Sequence, residues 1–192
     1  MIIVPGAKIL DFDIENRPLS YLGSDFTTSE ITAIAWGWNH DPDDKIRCAM
    51  LGEDGMDQRS ILSWFRRAYD AADVVTGHFI LFHDLPIING ALVEIGEPPL
   101  GPKLVSDTKV HAKIGKGISK SQESLSDILG VAAPKYHMTQ AMWREANRLT
   151  PAGLGETKTR VVGDVVQHRW MRIEMIRRGY LRRPVLWNGV RS

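Results

Sequence analysis

Residues 8–15 read Lys8-Ile9-Leu10-Asp11-Phe12-Asp13-Ile14-Glu15, an apolar run with a carboxylate at every second position from Asp11. Side chains two residues apart on a strand share a face, so Leu10, Phe12 and Ile14 would line one side and Asp11, Asp13 and Glu15 the other. Strands disfavour Asp, and adjacent carboxylates repel one another and resist desolvation unless a cation lies between them. Hard oxygen ligands of this kind suit Mg²⁺ or Mn²⁺ rather than zinc. The alternative is a strand that stops at Asp13 and turns through Asn16-Arg17-Pro18, with its acids in water.

Two further strand-like runs follow, at 30–38 and 46–51, rich in Ile, Ala and Trp and separated by the turn formers Asp41-Pro42-Asp43. A helix is predicted over 57–72, where Ile61, Leu62, Phe65, Ala68, Tyr69 and Ala72 recur at helical spacing. Residues 73–77 read as a buried strand, 84–95 as a helix with Pro86 in its first turn, and 104–108 as a strand. From Ser121 onward the pattern is helical: 125–129, closed by Gly130; 139–149, ended by Thr150-Pro151; and a long helix over 157–178. Strands first, then strands alternating with helices, predict an α/β fold in which helices flank a central sheet. No repeat or long Ser/Gly linker interrupts the chain, so residues 1–192 are read as one domain.

The composition is that of an ordinary globular chain: 43% hydrophobic, 24% charged, and a formal charge of +1. That charge is unevenly spread. Residues 1–100 carry seven Lys+Arg against 16 Asp+Glu, whereas residues 141–192 carry eleven against four. A basic C-terminal segment is compatible with a nucleic-acid contact and equally with a solvated helical tail. A single cysteine, Cys48, excludes an internal disulfide and a multi-cysteine zinc site. The opening MIIVPGAKIL lacks a signal-peptide start and no apolar run approaches 18 residues, so a reduced, cytoplasmic protein without a membrane contact is expected.

Two other places carry chemistry. Asp84 opens a helix after the stretch Thr76-Gly77-His78-Phe79-Ile80-Leu81-Phe82-His83, where an acid is common as a simple cap. On the last helix Arg160, Asp164 and His168 recur every four residues and share a face, which would also suit a surface salt-bridge stripe.

Phe12-Asp13-Ile14-Glu15, the stretch from Thr76-Gly77-His78 to Asp84-Leu85-Pro86, and Gly163-Asp164-Val165 stand in the order of three sequence motifs. In that order the chain resembles the DEDD (DnaQ-like) 3′-5′ exonucleases, a superfamily that includes the proofreading domains of family B DNA polymerases. The resemblance runs from about Lys8 to Arg178. It implies a ribonuclease H-like three-layer fold whose mixed sheet begins with three antiparallel strands. Asp13 and Glu15 would match the first-motif acids, Asp84 the second and Asp164 the third, together holding two divalent cations, Mg²⁺ or Mn²⁺. Those ions would activate water and stabilise the leaving 3′ oxygen. The implied substrate is nucleic acid with a free 3′ end, expected to be single-stranded DNA, and a replication polymerase is an admissible partner. The short chain looks like a stand-alone enzyme of bacteriophage type, which would place it in the host cytoplasm. An exoribonuclease, or a non-catalytic nucleic-acid-binding module, are the alternatives.

The chain departs from the family pattern at several positions. Phe79 stands where Asn is usual and His83 where Phe is usual. Arg160 and Thr159 occupy the positions of the Tyr or His that usually precedes the last acid. Arginine stays protonated at neutral pH, so Arg160 would pair with Asp164 or hold a phosphate rather than act as a base. His168 is the candidate base, unless a cation alone lowers the pKa of water far enough. His78 is a candidate substrate contact. Asp107 is a candidate support for the site or a turn acid. Lys103, Lys109, Lys113, Lys116 and Lys120 form a candidate phosphate-binding stretch, and Trp36, Trp38, Trp64 and Trp143 read as core. Two bound divalent ions would raise the formal +1 to +5, so near-neutrality does not argue against a polyanionic substrate.

Overall fold

The computed structural model describes residues 6–19, 28–133 and 135–189. Met1–Pro5, within the opening read above as lacking a signal-peptide start, lies outside the described residues. Among the described residues, six strands form one sheet in the order β3-β2-β1-β4-β5-β6. These are β1 (Ile9–Pro18), β2 (Ser29–Trp38), β3 (Arg47–Met50), β4 (Val74–Gly77), β5 (Lys103–Asp107) and β6 (Val185–Trp187). The first three are antiparallel neighbours, whereas β1, β4 and β5 run parallel. This is the expected ribonuclease H-like arrangement, with β6 added antiparallel on the far edge.

Helices cover both faces. Leu10, Phe12, Ile14, Ile34 and Trp36 pack against α1 (Gln58–Ala71) and α2 (Asp84–Glu94) through Phe65, Tyr69, Leu85 and Ile88. On the other face Ala33, Ala35 and Met50 receive Val161 and Val165 of α5 (Pro151–Arg177). A third apolar cluster joins α5 to α3 (Gln122–Leu129) through Leu125, Leu129, Met171 and Met175. Among the described residues no helix is long and apolar enough to cross a membrane.

Residue size decides how closely α5 approaches. Asp11, Asp13 and Glu15 of β1 stand beside Gly37, Ala35 and Ala33 of β2, so small side chains flank the acids. A Cβ on Gly37 would meet the Arg169 guanidinium of α5 at 2.5 Å.

Three expectations about element ends are corrected. The first strand continues through Asn16-Arg17-Pro18 instead of turning there; a register shift between Glu15 and Asn16 bends it while pairing persists. The last helix begins at Pro151, because Thr150 caps it by accepting from the Gly153 N–H at 3.1 Å and Pro151 takes the first helical position. The Thr150-Pro151 pair, expected to end the preceding helix, starts α5 instead, and α4 (Gln140–Asn147) has already stopped with Arg148 as its cap. Strand β6, three residues within the basic tail, carried no periodic signal.

The crossing of α4 and α5 is tight enough to test. A Cβ on Gly153 would lie 2.2 Å from the Glu145 carbonyl carbon. Replacing Gly by Ala inside a helix ordinarily gains about 1 kcal/mol. Here the contact is backbone, which cannot swing aside, and overpacking costs about 1–3 kcal/mol or more. Gly153→Ala is expected to lower the melting temperature by at least roughly 3 °C, read by thermal denaturation; a rise would show that α4 yields easily.

Candidate metal centre

Helix α5 lies along β1 so that two repeats coincide. Four helical residues advance about 6 Å and two strand residues about 6.6 Å, so each turn of α5 meets the next carboxylate of β1. Arg160 meets Glu15, with Nε 2.6 Å from Oε1. One turn on, Asp164 joins Asp13 and Glu15, and ligand oxygens of the three lie within 4.8 Å of one another. A turn further, His168 Nδ1 lies 3.3 Å from Asp11 Oδ1. Arg172 then donates to both oxygens of Asp11, at 2.8 and 2.9 Å.

Asp84 reaches the same region from the opposite layer. Pairing between β1 and β4 ends at Asp11 and Thr76, and Asp84 Oδ1 accepts the Ile14 N–H at 3.2 Å. The chain leaves β4 at Gly77, where a Cβ would lie 2.8 Å from the Phe12 carbonyl oxygen. Phe79 then adopts a left-handed conformation (φ 73°) that suits Asn better than an aromatic residue. Buried Asp107 holds it there. Its Oδ1 accepts from the Phe79 N–H and its Oδ2 from the Leu81 N–H, both at 3.0 Å. Asp107 also accepts from the Lys109 and Val110 N–H groups, so it braces the loop that delivers Asp84.

The electrostatics distinguish two sets of acids. Burial pushes the Asp13 carboxyl well above the usual range, and the charges of Asp84, Asp164 and Glu15 push it further. Burial also raises Asp84, against the hydrogen bond from His83, and Asp164, against the charges of Lys135 and Arg160. Glu15 is raised by burial despite its Arg160 partner. Asp11 behaves oppositely: burial opposes ionisation, but Arg172 and His168 outweigh it and hold the carboxyl below its ordinary value.

Two built-in cations stand among the acids. Arg160 spans Glu15 and Asp164, with NH2 3.6 Å from Asp164 Oδ2, and Lys135 Nζ lies 3.9 Å from the same oxygen. Among the described residues, Asp164 Oδ1 is buried with no hydrogen-bond partner. An all-oxygen donor set with an unpartnered buried carboxylate oxygen fits a hard divalent cation, and Asp13, Glu15 and Asp164 are the clustered residues that could hold one, with Asp84 beside them but outside that cluster.

Other expected site residues stand elsewhere. His168 is 1% exposed, with Nδ1 against Asp11 and Nε2 3.5 Å from the Thr76 hydroxyl, so its ring serves those groups and is not positioned as a base. His78 Nδ1 lies 3.0 Å from the Thr108 hydroxyl. Burial, then the charges of His168 and Lys109, push the His78 pKa down to about 3, so it brings no positive charge to a phosphate. Lys103 is tied to the end of α1 by donating to the Ala72 carbonyl at 2.7 Å, outside any phosphate-binding stretch. Trp64 is 47% exposed rather than core. Sequence reasoning missed Lys135, an isolated lysine with no motif around it.

No family model matches the chain, and no curated protein matches it in sequence. Among solved structures 88 chains match it. One is the family B DNA polymerase from the hyperthermophilic archaeon Pyrobaculum calidifontis, at TM-score 0.70 and 16% identity over 90% of this chain. The match covers 25% of the polymerase chain, so this chain spans a quarter of its length. At that identity the likeness shows the fold.

Raised carboxyl pKa values make a stability prediction. The folded state holds protons that the unfolded chain, with values near 4, has already released. Metal-free stability from these groups is therefore present at low pH and falls as pH rises from about 4 through the raised folded values. Asp13→Asn is expected to raise the melting temperature of the EDTA-treated protein at pH 7 by roughly 2–6 °C. The same substitution should abolish the Mn²⁺-induced rise expected of the unaltered chain. A lower melting temperature in EDTA would mean that Asp13 is already compensated.

Proposed function

We propose that this chain is a divalent-cation-dependent 3′-5′ exonuclease that hydrolyses the terminal phosphodiester of single-stranded DNA. The convergence of Asp13, Glu15 and Asp164 from β1 and α5 on one under-neutralised centre, with Asp84 of α2 close enough for its charge to act on Asp13, carries the reading. The fold shared with part of a family B DNA polymerase supports it, since the superfamily that the three motifs resemble includes the proofreading domains of such polymerases.

The four carboxylates would hold Mg²⁺ or Mn²⁺, with a pair of ions as the resemblance implies. A bound ion of this kind polarises the phosphate and lowers the pKa of the attacking water. The remaining work falls to the chain itself. Arg160 and Lys135 offset part of the acidic charge that would otherwise repel a phosphodiester. His83, half exposed beside Asp84 with Nδ1 3.4 Å from Oδ2, steadies that carboxylate from the open side. Trp143 packs beneath Arg160, with the guanidinium carbon 5.0 Å from the ring centre. It also borders a surface cavity of about 430 Å³ whose other lining residues are Gln140, Arg144, Asn147 and Arg148. Aromatic and basic groups of this kind suit a single strand approaching the centre. In the reaction, water attacks phosphorus, the bond to the 3′ oxygen breaks, and a nucleoside 5′-monophosphate leaves.

The test uses 5′-labelled single-stranded DNA and RNA of one sequence with Mg²⁺ or Mn²⁺. Stepwise shortening of the DNA from its 3′ end, with release of mononucleotides, is expected. Supporting groups around a metal typically contribute 10–100-fold, so Asp164→Asn, which alters a ligand itself, should lower the rate by at least roughly 100-fold. Degradation of RNA alone would move the substrate class to RNA. Binding of DNA without product release would leave a binding module.

A further inference from the structure

Arg160 is fastened on every side. Its Nε lies 2.6 Å from Glu15, one terminal nitrogen 3.6 Å from Asp164, and the other donates to the Tyr136 carbonyl at 3.1 Å. Trp143 covers its face, and its side chain is 17% exposed. A guanidinium held at four points is a fixed charge, and it bridges two of the three acids whose oxygens cluster within 4.8 Å. A divalent ion bridging Glu15 and Asp164 would have to expel it.

The charges point the same way. Asp13, Glu15, Asp84 and Asp164 bring four negative charges when ionised, and Arg160 and Lys135 bring two positive ones. One divalent ion completes neutrality; a second would overshoot it. The unpartnered buried oxygen, Asp164 Oδ1, belongs to the acid whose other oxygen already faces Arg160 and Lys135, so one oxygen of that acid is still uncompensated.

We propose that this centre is a hybrid, in which one divalent cation works beside the guanidinium of Arg160, and the arginine supplies the charge that a second ion would bring. The inference rests on the metal-dependent reading of the acid cluster and revises the number of ions it needs. Arg160 thereby acts on the site's charge rather than as a proton acceptor.

The test counts Mn²⁺ on the full chain by isothermal titration calorimetry and electron paramagnetic resonance, with and without a nucleoside 5′-monophosphate. The expected count is one ion per chain, with the spectrum of an isolated ion under both conditions. In Arg160→Gln, which removes the charge but keeps a donor for Glu15, the count should rise from one to two and the spectrum should show two coupled ions. Two coupled ions in the unaltered chain would overturn the hybrid while leaving the metal-dependent reading intact. An unchanged count of one in Arg160→Gln would overturn it as well, because the arginine would then not be what limits the count. If the variant does not fold, the count in the unaltered chain decides alone. No bound Mn²⁺ at millimolar concentration would overturn both readings.

Discussion

The structure depends on a fully buried carboxylate, Asp11, held between α5 and β1. Arg172 binds it through two hydrogen bonds, Arg169 Nε lies 3.4 Å away and His168 3.3 Å away. Taking these charges out of water costs several kcal/mol per ion, so the group is not simply a stabilising pair. What it supplies is register. Removing either side would leave an unpaired charge in the interior, at a cost of about 3–5 kcal/mol, which penalises any sliding of the helix by one turn. Arg169 extends the hold by donating to the Asp41 carbonyl at 2.8 Å, tying in the turn after β2. With that register set, Asp164 has no choice but to sit over Asp13 and Glu15.

The strand therefore carries two kinds of acid on one face. Asp11 is satisfied by the protein. Asp13 and Glu15, two and four residues on, are left in a group whose carboxyl values are all raised. A protein selected only for stability would have replaced such residues with apolar or amide side chains, so concentrating this repulsion at one place marks where binding energy is expected to arrive from outside. Asp107 belongs with Asp11 in this contrast. It accepts four backbone N–H groups and uses its charge to hold Phe79 in an unfavourable conformation, which brings Asp84 to the end of β1.

Much of the fold was legible because its signals are local. Alternation in residues 8–15 and helical spacing in 57–72 follow from which face is buried, and Asp57, Ser121 and Thr139 cap the helices that follow them. Asn16-Arg17-Pro18 misled because proline ends a strand only where its missing N–H would be needed, and Pro18 is the last residue of β1. The acids were legible in the same way, as charges on elements that otherwise read as buried. The rest was not, because it depends on where a helix four residues per step lies against a strand two residues per step. That register sends His168 to Asp11 and not to the cluster. Lys135 enters from a loop between α3 and α4 and has no periodic neighbour to announce it. Trp64 sits on an amphipathic helix, where spacing alone does not separate a flank from the buried side.

The contacts that make the centre join the two ends of the described chain. Arg160 and Glu15 are 145 residues apart, and Arg172 and Asp11 are 161 apart. Contacts of such sequence separation are won late, since the chain must first give up the freedom of the long loop between them. During synthesis, β1 emerges with its row of acids long before α5 exists to answer them. The acids can converge only once the last helix has docked, so an incompletely folded chain lacks the arrangement altogether. Affinity for a divalent ion would in that case double as a record that the chain has finished folding.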